Sequence, residues 1–249
     1  MQLVGYDPSP SPALHLASDG VIERIPLDTG RALSFALTER HCAGKIRDRR
    51  HLPCDDSAAP WCERHVDRWP CARCRGDCNK PIPACDREHE VYLAAFAPAV
   101  FKVGVTRAGR LAERLAEQGA DRGTKIRHAS DGRIARSIET QIAESIPDRV
   151  DIETKIDGLQ RPLDTTAWNA LIDEYGGTDV IRPEYEFALD APPIPETLAR
   201  GEVVGVKGRL LFLQVSGSHY ATDLQALVGY DVTKEPSRRD IQIGLGTFS

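Results

Sequence analysis

The amino-acid sequence predicts an α+β fold in which a cysteine-rich segment precedes a small β-β-α-β-α unit and a β-rich C-terminal region. Three observations support this prediction. All seven cysteines of the 249-residue chain lie between Cys42 and Cys85. Residues 90–146 alternate between short apolar runs, typical of strands, and segments with helical periodicity. Residues 201–249 carry β-branched runs that are separated by turns containing glycine.

The composition excludes several classes of protein. Hydrophobic residues make up 41 % of the chain and charged residues 28 %, which is enough apolar material for a core. No run approaches the roughly 20 apolar residues of a membrane-spanning helix. The N-terminus shows no basic and apolar leader pattern, so we expect a cytoplasmic protein. The net charge of −5 excludes a generally basic nucleic-acid binder but allows a locally basic face.

The composition changes along the chain in a way that predicts five parts. They are a β-rich N-terminal region (1–40), a Cys/His-rich segment (41–89), the α/β unit (90–146), an acidic linker with one helix (147–200) and a β-rich C-terminal region (201–249). The string LVGYD occurs at residues 3–7 and again at 227–231. It marks either two paired strands from the ends of the chain or a coincidence.

The α/β unit contains three predicted strands and two predicted helices. EVYLAAF and VFKVGVT are the first two strands, and KIRHAS is the third. The first helix follows the second strand and ends at Gly119. The second helix begins after Asp131 and ends before Pro147, with apolar residues at every fourth position: Ile134, Ile138, Ile142 and Ile146.

The cysteine pattern predicts structural zinc. An odd number of cysteines in an intracellular protein argues against a disulfide framework. Cys62-x-x-His65 and Cys71-x-x-Cys74 have the short ligand spacing of zinc knuckles, and residues 41–89 contain few apolar side chains to hold them together. One sequential partition gives two sites of four ligands each, the first with Cys42, Cys54, Cys62 and His65 and the second with Cys71, Cys74, Cys78 and Cys85.

Other arrangements of these ligands stay open. The pairing can be interleaved, and His41, His51 or His89 can replace a cysteine. A single zinc with spare cysteines, free cysteines, or an iron–sulfur cluster are the chemical alternatives.

Four residues of the α/β unit resemble the motifs of the GIY-YIG nuclease superfamily. Val91-Tyr92-Leu93 and Lys102-Val103-Gly104 lie on neighbouring strands, Arg114 on the next helix and Glu139 on the last. The longer string from GDCNKP through FKVGVTR to EQGA is also similar to an uncharacterised family. Its members join a Cys-rich module to such a unit and end in a β-rich tail.

The resemblance implies metal-assisted phosphodiester hydrolysis. Tyr92 and Lys102 match the two motif positions near the attacking water, Arg114 would steady the phosphate, and Glu139 would hold Mg²⁺ or Mn²⁺. Gly104 would let the phosphate approach the backbone, with Arg107 and Arg110 as further phosphate ligands. Glu90 replaces the first glycine of the family pattern, and Lys102 replaces its second tyrosine. A lysine binds phosphate, but it acts as a base only when its pKa falls strongly.

The charge distribution agrees with a phosphate site in this unit. Residues 102–136 contain nine Lys/Arg and four Asp/Glu, whereas residues 137–203 contain five Lys/Arg and fifteen Asp/Glu. The leading hypothesis is a zinc-containing protein that binds DNA or RNA and acts as a divalent-metal-dependent phosphodiesterase. The alternatives are a non-catalytic binding or regulatory protein with a nuclease-like fold, and a protein-interaction module that uses the acidic C-terminal half.

Overall fold

Two β-sheets organise residues 1–66, 75–78 and 85–234, the part of the chain that the computed structural model describes. The strands in this part are β1 (Gln2–Asp7), β2 (Ala13–Ser18), β3 (Val21–Pro26), β4 (Ala32–Arg40), β5 (Lys45–Arg47), β6 (Arg50–Leu52), β7 (His89–Phe96), β8 (Val100–Arg107), β9 (Arg122–Ala129), β10 (Ile194–Pro195), β11 (Ala199–Lys207), β12 (Leu210–Val215), β13 (Ser218–Asp223) and β14 (Tyr230–Thr233). The helices are α1 (Leu111–Gln118), α2 (Gly132–Ile142), α3 (Ile152–Asp157), α4 (Thr165–Tyr175) and α5 (Leu224–Leu227).

The larger sheet is built from both ends of the chain. Its order is β10-β13-β12-β11-β4-β14-β1-β2-β3-β6-β5, and all neighbours are antiparallel except β10 and β13. Leu3 accepts a backbone hydrogen bond from Gly229 at 2.8 Å, and Gln2 pairs with Asp231. The two copies of LVGYD therefore lie at paired strands, and the regions predicted at 1–40 and 201–249 share one sheet.

Apolar side chains from all parts of this sheet form its core. Leu3, Leu16, Leu211 and Leu213 are at most 2 % exposed and belong to one cluster. The register of β11 and β12 shifts between Val203 and Gly205, which confirms the bulge predicted at this glycine. A side chain there would overlap the chain at Glu186, because an added β-carbon would lie 2.5 Å from the Glu186 carbonyl oxygen.

The smaller sheet carries the predicted α/β unit. Its order is β8-β7-β9, with β7 antiparallel to both neighbours. The alternation of β7 places Tyr92 and Phe96 against α1 on one face, and Val91 and Leu93 against α2 on the other. The elements of the unit follow in the predicted order β-β-α-β-α.

The two helices of the unit begin and end as their sequences predict. Gly119 ends α1 in the left-handed conformation, with φ 71°. The Asp131 carboxylate caps α2 by accepting hydrogen bonds from the backbone of Arg133 and Ile134. These caps fix the positions at which α1 and α2 cross the sheet.

The segment 147–200 holds α3 and α4 against the unit. The helix predicted around Trp168 is confirmed as α4, and Trp168 is fully buried. Helix α3 is an addition to the prediction. Lys207 of the larger sheet pairs with Asp121, and the Tyr185 hydroxyl donates to the Ala120 carbonyl at 2.9 Å. Within the described ranges, every helix is too short or too polar to cross a bilayer.

Candidate functional site

Four potential metal ligands meet beside the larger sheet. Cys42 follows β4, Cys54 follows β6, and Cys62 and His65 lie on one tight turn, in which the His65 amide donates to the Cys62 carbonyl at 2.9 Å. One donor atom from each of the four lies within 4.8 Å of the others. This group is the first set of the predicted sequential partition.

The distances within this group fit a tetrahedral zinc site. His65 Nδ1 lies 3.4 Å from Cys42 Sγ and 3.3 Å from Cys62 Sγ. Tetrahedral zinc with its usual bond lengths separates a sulfur and a nitrogen ligand by about 3.5 Å. The three thiols are at most 7 % exposed, and few apolar neighbours surround them apart from one another. The four residues could hold a structural zinc, with every coordination position filled by protein.

The electrostatics of the cluster favour a thiolate at Cys62. Burial is the largest influence and would raise the pKa, but backbone and side-chain hydrogen bonds, led by the Arg64 amide, lower the pKa of Cys62 to about 7. The Cys62 amide in turn donates to Cys42 Sγ at 3.3 Å. Backbone donors of this kind orient sulfur ligands around a metal.

The second predicted set is described only in part. Cys71 and Cys74 lie outside the described residues. Cys85 is 6 % exposed and its carbonyl accepts from the Gly132 amide at 2.7 Å, and the Cys78 carbonyl accepts from Arg133 Nε at 2.8 Å. A β-carbon on Gly132 would lie 3.1 Å from Cys85 Sγ and 3.3 Å from His89 Nε2. Both cysteines therefore lie at the N-terminus of α2, and a second zinc at this point stays a prediction.

Tyr92 lies at the centre of the candidate phosphate site. It faces Gly104 across β7 and β8, and a β-carbon on Gly104 would lie only 2.5 Å from the Tyr92 hydroxyl oxygen. This hydroxyl accepts from Gln118 Nε2 at 2.7 Å and from Arg114. Burial raises the pKa of Tyr92, although Arg114 and Gln118 oppose the shift, so the hydroxyl stays protonated.

Arg114 is held in place by two polar groups. Its Nη1 donates to Glu117 Oε2 at 2.8 Å, and its guanidinium also hydrogen-bonds Tyr92. Almost half of the Arg114 side chain, 45 %, is exposed, whereas Tyr92 is 1 % exposed. The arginine can therefore contact a ligand while the tyrosine fixes it from below.

Lys102 is the cation of the site without a partner. It lies two residues from Gly104 on the same face of β8 and is half-buried. It forms no hydrogen bond or ion pair with the rest of the described chain. Burial, reinforced by the positive charge of Arg114, lowers the pKa of Lys102 to about 8, and Glu139 and Asp148 oppose the shift.

Glu139 reaches the same place from α2. Its field acts on both Tyr92 and Lys102, so the structure brings together the four residues predicted as catalytic. Glu139 is only 7 % exposed, and its Oε2 accepts a hydrogen bond from Arg136 Nη1 at 2.5 Å. An expected Mg²⁺ or Mn²⁺ would compete with Arg136 for this oxygen and would lie among three cationic side chains. The donor set at Glu139 therefore does not fit a divalent cation in this arrangement.

The remaining predicted phosphate ligands lie at the edge of this group. Arg110 is tied to Glu113 at 2.8 Å and to Glu117 at 3.2 Å, and Arg107 ends β8. Neither is among the charges that act most strongly on Lys102. Sequence reasoning missed three residues of the site, Gln118, Arg136 and Asp148. Only the helical spacing of Gln118 from Arg114 and of Arg136 from Glu139 could have indicated the first two.

Comparison with known proteins gives one match. A family model described as a protein of unknown function (DUF2797) matches residues 70–232, which is more than half of the chain. The match contains the α/β unit and begins after the Cys42, Cys54, Cys62 and His65 cluster. No curated protein matches the chain, and no solved structure does. The chain belongs to this family of unknown function (DUF2797).

Proposed function

We propose that the α/β unit binds DNA or RNA through the phosphodiester backbone. The observation that carries this proposal is the convergence of Lys102 and Arg114 with Tyr92 and Glu139 at one place. Two of these groups are buried and fix cations, while Lys102 lacks a partner among the described residues. Cationic groups that are held in place and left partly unpaired are suited to an anionic ligand.

Zinc serves as a structural element in this proposal. One zinc binds Cys42, Cys54, Cys62 and His65, and we propose a second one at Cys71, Cys74, Cys78 and Cys85. The second would join the Cys-rich segment to the N-terminus of α2, because Cys78 and Cys85 already contact the first turn of that helix.

Phosphodiester hydrolysis by a GIY-YIG-like unit is the second candidate function. The presence of Tyr92, Arg114 and Glu139 in one site, on elements in the order that the resemblance implies, favours it. The protonated Tyr92 is suited to donate a hydrogen bond, and the occupied Glu139 carboxylate does not favour a metal. Binding without hydrolysis is therefore the better-supported function.

Salt dependence tests the binding proposal. Fluorescence anisotropy with a labelled single-stranded oligonucleotide should show affinity falling as salt rises, since cations on the protein release counterions from phosphate. Lys102→Gln with Arg114→Gln should lower the slope of log affinity against log salt by about 1.4, which corresponds to two lost contacts on a single strand. Arg31→Gln, an exposed site outside the unit, is the control. Equal slopes for wild type and the double variant would exclude this site as the phosphate contact, and incubation with Mg²⁺ or Mn²⁺ tests cleavage in parallel.

A further inference from the structure

The role of Glu139 is defined by its contacts. The residue lies on the buried side of α2, and Arg136, one turn earlier, donates to it. The Glu139 side chain is 10 % exposed and that of Arg136 is 28 % exposed, so the carboxylate lies beneath the guanidinium. A buried carboxylate requires a charge partner, and Arg136 supplies one.

Tyr92 and Glu139 act in the same way on different helices. Tyr92 is buried and hydrogen-bonds Arg114 of α1, and Glu139 is buried and pairs with Arg136 of α2. Lys102 lies between them on β8, where the charges of both arginines act on it. Three cations thus surround one place, each from a different element of the unit.

The charges around Lys102 leave little room for a further cation. Glu139 and Asp148 are the acids that act most strongly on Lys102, and Asp148 is exposed. Mg²⁺ prefers six oxygen ligands at about 2.1 Å. Among the described residues, the only group of three or more potential metal ligands is the Cys/His cluster beside the larger sheet. An arginine, in contrast, offers a fixed fork of donors that matches phosphate oxygens.

We propose that Arg136, anchored by Glu139, takes the place of a divalent cation, and that Lys102, Arg114 and Arg136 bind a phosphodiester without metal. This inference rests on the proposed nucleic-acid binding. It assigns Glu139 as a positioning residue that acts through Arg136, and it makes Arg136 a third phosphate ligand.

The test compares binding of a labelled single-stranded oligonucleotide in EDTA and in Mg²⁺ at matched ionic strength. We expect dissociation constants within about twofold of one another, because no contact requires the metal. Binding that needs Mg²⁺ would overturn the inference. This comparison uses the wild-type protein, so it does not depend on how any variant folds.

A double-mutant cycle on Arg136 and Glu139 tests the anchoring directly. Arg136→Gln should weaken binding about tenfold in EDTA, whereas Arg31→Gln should not. Glu139→Gln should add no further loss in the Arg136→Gln background, since the carboxylate acts only through the arginine. An equal loss in both backgrounds would contradict the inference while leaving nucleic-acid binding intact. Absence of salt-dependent binding by the wild type would instead remove the proposed function itself.

Discussion

Replacing Cys62 with serine should remove one zinc per chain and lower the thermal stability strongly. Cys62 lies at the centre of the four-ligand group, and its thiol is the one with the lowered pKa. Structural zinc contributes its binding free energy to folding. A loss of about 4 kcal/mol would lower the melting temperature by roughly 8–16 °C in a protein of this size.

Elemental analysis and thermal unfolding of the same samples measure both effects. His65→Gln should behave like Cys62→Ser, because the imidazole contacts two of the sulfurs. His219→Gln is the matched control, since this half-buried histidine lies on β13 outside the cluster. Equal zinc content in Cys62→Ser and wild type would show that these four residues do not hold the metal.

Gly104→Ala should destabilise the α/β unit and disturb its cationic site. The added β-carbon would lie 2.5 Å from the Tyr92 hydroxyl oxygen and 2.6 Å from Cζ, so the ring must move. Tyr92 is buried and hydrogen-bonded by Gln118 and Arg114, which makes this movement costly. Overpacking of this kind costs about 1–3 kcal/mol. Displacing Tyr92 also releases Arg114, and we expect binding to fall by about tenfold.

Chemical denaturation and oligonucleotide binding measure the two effects of Gly104→Ala. Gly5→Ala is the matched control in the larger sheet, since its added carbon would meet only a histidine side chain at 3.2 Å. Stability and affinity equal to those of wild type would mean that the contact between Gly104 and Tyr92 does not organise the site.

Local patterns in the sequence were sufficient for the elements of the α/β unit. The caps at Asp131 and Gly119 follow from side-chain chemistry and from the conformational freedom of glycine, which both act within a few residues. The same holds for the close spacing of Cys62 and His65. The distant ligands Cys42 and Cys54 could be assigned only as one partition among several, because the β5–β6 hairpin that brings them together is not visible in ligand spacing.

Long-range pairing and buried charge were harder to predict. The joining of β4 with β11 and β14 depends on residues nearly 200 positions apart, and only the repeated LVGYD indicated a link between the ends. Ile134 was predicted on the apolar face of α2 but is 46 % exposed, whereas Glu139 on the same helix is buried. Hydrophobic periodicity cannot identify a charged residue that is buried because a neighbouring arginine pairs with it.

Protection of Lys102 from amine acylation by a bound oligonucleotide tests the central claim most directly. With a pKa of about 8, roughly half of the Lys102 side chains are neutral and reactive at pH 8. Saturating single-stranded oligonucleotide should slow labelling of Lys102 at least about fivefold, as read by mass spectrometry, because a bound phosphate covers the amine and favours its charged form. The exposed Lys45 on β5 should react at an unchanged rate. Equal labelling of Lys102 with and without bound oligonucleotide would contradict the account.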